Sequence, residues 1–132
     1  MATWEDVKQA LVAKGMQFDD YGQSISIGFS LENGRTQMVG IEHRIIADSI
    51  DTVAFLTPIG KYDSRKAEEL LKEAAGLPFG IAVQSAEGHD FFILQAGTPL
   101  DDFDGSELDF YLSGIAMVAD SLEAAIFHTD TF

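Results

Sequence analysis

AAGLPFGIAV, residues 74–83, marks the change from a helix to a strand. The preceding letters KAEELLKEAA (66–75) have the charged and alanine-rich composition of a helix. Gly76 stands where a helix-ending glycine is common, and Pro78 prevents the helix from continuing. The closing letters IAV begin an apolar strand. The segment therefore predicts a structural corner, with Phe79 as a core anchor, rather than a catalytic loop.

Three strands are predicted before this corner, over residues 24–31, 36–46 and 52–57. The first two alternate in polarity, and the second places Val39, Ile41, His43 and Ile45 on one face. Asn33-Gly34 between them is the pair favoured in a type I′ hairpin turn. Pro58, with Gly60, is expected to end the third strand. Together the three strands predict an antiparallel meander.

Three helices are predicted, over residues 4–14, over 65–75, and from Ser106 onward. Thr3 and Asp6 form a capping-box pattern before the first helix. The second has Asp63 or Ser64 as its N-cap, and its inward side is predicted to hold Ala67, Leu70, Leu71 and Ala74. The last helix is expected to be capped by Ser106 and carries an apolar stripe at Leu108, Leu112, Ile115, Ala119, Leu122 and Ile126.

Two more strands complete the pattern, one beginning at Ile81 and one over residues 91–96, with Glu87-Gly88 as the turn between them. The element order is α–β–β–β–α–β–β–α. Strands joined mostly by hairpins and separated by helices predict an α+β fold with an antiparallel sheet. No linker or repeat divides the 132 residues, so one domain over 1–132 is expected.

The net charge of −14 is unevenly distributed. Residues 1–72 contain 11 acidic and 8 basic residues, whereas residues 73–132 contain 11 acidic residues and no Lys or Arg. Such a surface repels phosphate backbones and anionic lipids, which argues against nucleic-acid and membrane partners. The N-terminus lacks the pattern of a signal peptide, and cysteine is absent. A cytoplasmic protein is therefore expected, with the acidity serving solubility or attracting a basic or amphipathic partner.

No motif for catalysis, cofactor binding or metal binding is found. The three histidines, His43, His89 and His128, lack metal-ligand spacing. The acidic run around Gly105 fails as an EF-hand because Leu100 and Tyr111 would occupy positions that require oxygen ligands. Neither a nucleophile elbow nor a glycine-rich phosphate loop occurs. We therefore expect no catalytic, cofactor-binding or metal-binding residue, and a protein that is not an enzyme.

The chain has more apolar side chains than one core needs, which indicates a role in binding rather than in catalysis. Residues 91–94 (FFIL) are apolar on both sides of a strand. Met38, Leu56, Phe92 and Leu94 are predicted to share the sheet face opposite the helices. If the chain itself leaves this face uncovered, it forms an apolar binding patch for a partner or a second copy. A protein-binding site at these four residues and a homodimer are the expectations.

The chain resembles the type III secretion chaperone fold. AEELLKEAAGLPFGIAV carries the likeness as helix, corner and strand, and FFILQAGTPLDDFDGSELDFYLSGIAMVADSLEAAI carries it as strand, acidic turn and final helix with the dipeptide Ala119-Asp120. The second segment is similar to the Tir-chaperone pattern, and equally to the YbjN-like family of bacterial sensory-transduction regulators. The N-terminal half matches in layout more than in residues.

The resemblance implies a small, acidic, cytoplasmic and homodimeric module without catalysis. Chaperones of this kind hold an extended client segment against their sheet, through main-chain pairing at strand edges and pockets for side chains. A protein client, basic or amphipathic, fits the acidity. Two alternatives stay open: a small-molecule sensor or enzyme with a cleft between sheet and helix, and a structural dimer whose apolar faces are used in self-association.

Overall fold

The computed structural model describes residues 2–31 and 34–128. Its helices are α1 (Trp4–Ala13), α2 (Ser64–Ala74) and α3 (Glu107–Leu122). Its strands are β1 (Asp19–Asp20), β2 (Ser24–Ser30), β3 (Thr36–Ile46), β4 (Ile50–Lys61), β5 (Gly80–Ala86) and β6 (His89–Pro99). The predicted α+β order is confirmed, with the two-residue β1 added. Asn33 of the turn predicted at Asn33-Gly34 lies outside the described residues, whereas Gly34 is described.

The six strands form one antiparallel sheet in the order β1-β2-β3-β4-β6-β5. The chain leaves the sheet after β4, passes through α2 and returns at the edge as β5. The hairpin between β5 and β6 then places β6 beside β4. Helix α3 packs across β3 and β4. The sheet therefore has one face under the helices, here called the covered face, and an opposite face, here called the open face.

The capping box of α1 is confirmed. The Asp6 N–H donates to Thr3 Oγ1 at 3.2 Å, and the Thr3 N–H donates to Asp6 Oδ2 at 2.8 Å. The apolar side of α1 is buried at Trp4, Val7 and Leu11. The Trp4 indole N–H donates to the Gly22 carbonyl at 2.6 Å, and its ring stacks on that of His43 with 5.7 Å between centroids. These contacts dock α1 on the covered face.

Helix α2 begins after Asp63, whose carboxylate accepts the Arg65 N–H at 3.0 Å. The side-chain hydrogen bond from the Arg65 guanidinium, with the backbone bond, holds the pKa of Asp63 below its ordinary value. Leu70 is fully buried, whereas Leu71 is 57% exposed, so its predicted inward position is wrong. One residue along a helix is a rotation of about 100°, which carries Leu71 away from the sheet.

Helix α3 provides the largest part of the helical core. All six residues of the predicted stripe are buried, and Ala116 joins them. The helix begins where predicted, but Ser106 makes no side-chain cap. Instead, the Asp104 carboxylate accepts the Ser106 N–H at 3.0 Å. The helix ends in a π-helical turn, Glu123–Phe127, fastened by the Lys66 Nζ, which donates to the Ile126 carbonyl at 3.1 Å.

Strand β4 is longer than predicted, because Pro58 and Gly60 do not end it. The register shifts between these two residues, which is a bulge, and pairing with β6 continues to Lys61. A proline is tolerated inside a sheet at such a bulge because it removes no regular ladder hydrogen bond there. The bulge also leaves room at Gly60 for the Phe127 ring, which lies 2.6 Å from the position a Cβ would take.

Candidate protein-binding surface

The open face follows from the strand register. Directly opposed residues of antiparallel strands share a face, and the pairs Glu42–Ala54, Gly40–Leu56 and Pro58–Ile93 lie opposite the buried pair Ile41–Phe55. No helix of the described residues packs on this side. The face combines large apolar residues with small ones: Met38, Leu56, Pro58, Phe91 and Ile93, with Ser26, Gly28, Gly40, Ala54, Ala82 and Gly97.

The four residues predicted for this face separate into two pairs. Met38, 42% exposed, and Leu56, half-buried, lie on the open face. Phe92 and Leu94 lie on the covered face and are 2% and 0% exposed, so the expectation that all four share one face is wrong. The reason is the phase of β6: Leu94 opposes Thr57, whereas Ile93 opposes Pro58. Their role in binding a protein stays a prediction.

A first hollow on the open face has a volume of about 630 Å³. Its floor is formed where small residues oppose each other, since Ala54 faces Gly97 across β4 and β6. Gly80 of β5 opposes Gln95 and opens one side. The apolar walls include Ile46 and Ile50 from the hairpin between β3 and β4, with Pro78 and Pro99. The absence of large side chains at Ala54, Gly97 and Gly80 therefore creates the space of this hollow.

A second hollow, of about 330 Å³, lies further along the same face. Leu56, Pro58, Phe91 and Ile93 form its apolar part, and the turn between β5 and β6 contributes Glu87 and His89. Along β4 the first hollow is lined by Ile50, Thr52 and Ala54 and the second by Leu56 and Pro58, so their midpoints are about five residues apart. At about 3.3 Å per residue, this separation is roughly 17 Å. The open face thus offers two apolar sites in one line.

The charge of the protein is mostly elsewhere. On β3 the open face carries Glu42 and Arg44, which neutralise each other through an ion pair of 2.5 Å between Arg44 Nη2 and Glu42 Oε2. At the second hollow, Glu87 and His89 stand on the exposed turn. A nearly neutral apolar patch on a protein of net charge −14 is favourable for contact with apolar side chains. Positively charged partners would be attracted by its acidic surroundings.

The edge strand β5 offers unpaired main-chain groups next to the hollows. It pairs with β6 on one side, and among residues 2–31 and 34–128 no strand pairs with its other side. On the opposite edge, β1 pairs with β2 only at Ile25 and Ser26. Unpaired N–H and C=O groups of an edge strand can accept an additional strand. The hollows and an open edge therefore occur on the same part of the sheet.

His43 has the most polar contacts of the three histidines, and they are structural. Its Nδ1 lies 2.5 Å from Gln23 Oε1, its Nε2 lies 2.9 Å from Asp51 Oδ1, and its ring stacks on Trp4. It is on the covered face and lines neither hollow. No group of three or more potential metal ligands occurs within the described ranges.

One helical segment of the described residues, 107–127, has the length and apolar composition of a membrane span. Here it is α3 with its π-helical turn, and its buried stripe packs on the sheet. Core helices of many proteins share that composition.

The fold is similar to that of a type III secretion chaperone. The crystal structure of the Yersinia pestis type III secretion chaperone SycH, in complex with a stable fragment of YscM2, is similar with a TM-score of 0.54. The similarity covers 88% of this chain and 95% of that chain, and the sequences are 13% identical. At this identity the likeness concerns the fold alone. No family model matches the chain, and no curated protein matches it.

Sequence reasoning missed most of the open face. Small residues such as Ala54 and Gly97, which shape the first hollow, carry no sequence signal of binding. Phe91 and Ile93 were within the apolar run 91–94, but their face depends on register. The alternating pattern of β3 was the signal available, since it places Met38 correctly opposite Val39 and Ile41.

Proposed function

We propose that the protein is a non-enzymatic, protein-binding module that holds an extended or amphipathic client segment on the open face. The observation that carries the proposal is the pair of apolar hollows on a sheet face that no helix of residues 2–31 and 34–128 covers. The fold supports it, because SycH has the same fold and was solved with a protein fragment. A role as a secretion chaperone or as a YbjN-like regulator, in the cytoplasm, is part of this proposal.

The hollows define what a client segment must offer. An extended chain advances about 3.3 Å per residue, so two apolar side chains about five residues apart reach both hollows. The neutral pair of Glu42 and Arg44 requires no opposite charge at the centre of the face. Basic residues flanking the anchors would meet the acidic remainder of the protein and accelerate association.

A matched pair of variants tests the site. Met38→Asp adds a charge on the open face, and Val12→Asp adds the same charge on α1, where Val12 is 59% exposed. Affinity capture from the native lysate, with wild type and both variants, followed by mass spectrometry, is the measurement. We expect a stoichiometric protein retained by wild type and Val12→Asp, and at least about tenfold less by Met38→Asp. Circular dichroism checks that both variants are folded.

Two results would overturn this function. One is repeated recovery of no stoichiometric partner, and the other is equal loss of the partner in both variants.

We also propose that the protein is a homodimer. Light scattering of wild type that shows a monomer removes the homodimer, whereas a dimer that dissociates only in Met38→Asp would mean that a second copy, not a client, covers the open face.

A further inference from the structure

The helical layer carries an apolar groove of its own, on the other side of the sheet from the open face. It has a volume of about 330 Å³ and lies between the end of α2, the following corner and α3. Leu77, Val118 and Leu122 form its apolar lining, and Met117 and Glu73 stand at its sides. This groove is separate from the two hollows, since they share no residue.

Helix α3 is apolar on two sides, and only one of these sides is buried against the sheet. The stripe from Leu108 to Ile126 is buried on the sheet. Phe110 and Met117 lie on the outer side, seven residues apart and therefore above one another, and are 55% and 62% exposed. Ser113 and Gly114 lie between them and leave this surface shallow. The Phe110 ring stacks on that of the buried Phe79, with 6.1 Å between centroids, so Met117 is the large apolar side chain that contributes least to the core.

The groove has a negative charge at one side. Glu73 lies at its edge, and Glu69, one turn earlier on α2, shares an adjoining hollow with Glu73, Arg65 and Lys72. Neither glutamate has an ion-pair partner among residues 2–31 and 34–128. The nearby cations are engaged elsewhere: Lys72 pairs with Glu68 at 2.9 Å, and Lys66 binds the Ile126 carbonyl and lies 4.4 Å from the centroid of the Phe127 ring. From residue 73 onward the chain has no Lys or Arg.

We infer that this groove is a second docking site, and that its occupant is an amphipathic, basic helix of a partner protein. A helix laid along a groove presents apolar anchors at i, i+3, i+4 and i+7, and the apolar lining of Leu77, Val118 and Leu122, with Met117 at the side, can receive such anchors. Lysines or arginines beside the anchors pair with Glu73. An acidic partner helix is repelled by the same carboxylate.

The probe is a synthetic leucine–lysine amphipathic peptide of about 18 residues, roughly five helical turns. Its binding is measured by fluorescence anisotropy against wild type, Met117→Lys and the control Leu71→Lys. Leu71 is on α2, is 57% exposed, and does not line the groove. Both variants exchange an exposed apolar residue for the same charge. We expect Met117→Lys to weaken binding at least about tenfold, and Leu71→Lys by less than about twofold.

Three outcomes would overturn the inference. Equal weakening by the two variants would show non-specific attraction to an acidic protein. Unchanged binding in Glu73→Lys at low ionic strength would remove the electrostatic part of the recognition. Dissociation of a dimer by Met117→Lys, measured by light scattering without peptide, would show that a second copy occupies the groove. Amide shift changes at Leu77, Val118 and Ser121, and not at Leu56 or Ile93, are the expected NMR result.

Discussion

Both faces of the sheet carry apolar side chains, but the two faces bury them differently. On the covered face, Phe55 and Leu94 are completely buried beneath the helices. On the open face, Ala54 and Ile93 are 7% and 6% exposed although no helix of the described residues lies over them, and Met38 remains 42% exposed. One face therefore supplies the core. The other retains apolar area that the fold does not need and that a partner can bury.

The largest expected difference between the faces is in stability. Leu94→Ala removes a fully buried side chain and leaves a cavity, which lowers the free energy of unfolding by about 2–5 kcal/mol. Met38→Ala removes a side chain that is already in contact with water, and we expect a loss below about 1 kcal/mol. Urea denaturation followed by circular dichroism measures both. Equal losses would contradict the assignment of the faces.

Two glycines sharpen the same comparison. An added Cβ at Gly60, on the covered face, would lie 2.6–2.7 Å from three atoms of the Phe127 ring, whereas at Gly80, on the open face, it would meet nothing within 4 Å. Gly60→Ala is expected to lower the melting temperature through a loss of about 1–3 kcal/mol, because the aromatic ring must move. Gly80→Ala should change it little. Differential scanning calorimetry compares them, and a destabilised Gly80→Ala would mean that this part of the open face is occupied.

The smallest expected difference concerns two arginines. Arg35 binds Asp120 through Nε at 2.7 Å, and its Nη2 lies 3.9 Å from the fully buried Glu123. Arg35→Ala is expected to cost at least about 1–2 kcal/mol, since it removes a charged hydrogen bond from the partly buried Asp120 and a nearby positive charge from the fully buried Glu123. Arg44→Ala, which breaks the more exposed pair with Glu42, should cost less than about 1 kcal/mol. Chemical denaturation in low salt tests this order, and the reverse order would contradict it.

The element order and the stripe of α3 could be predicted because helical spacing is a local property. The face of β6 could not. Phe91, Phe92, Ile93 and Leu94 are all apolar, so the sequence contains no alternation there, and only the pairing with β4 fixes which residues point to the helices. The sequence predicts the end of β4 too early for a related reason, because the bulge that accommodates Pro58 depends on the partner strand β6.

The candidate site was predictable only in part. Met38 and Leu56 were recognised because each belongs to a strand with buried neighbours on the other side. The hollows depend on side chains that are small or absent, as at Ala54 and Gly97, and such a space is visible only after the strands are aligned. The exposure of Met117 could not be predicted either. An apolar residue within an apolar helix gives no sign of which side of the helix it faces.

The stacking of Trp4 on His43 has a spectroscopic consequence. Trp4 is the single tryptophan of the chain, it is 8% exposed, and it holds α1 to the sheet. Its fluorescence therefore reports the local environment of one helix rather than an average over the molecule. An emission maximum that moves to longer wavelength while the far-ultraviolet circular dichroism stays constant would reveal undocking of α1 alone, without any label.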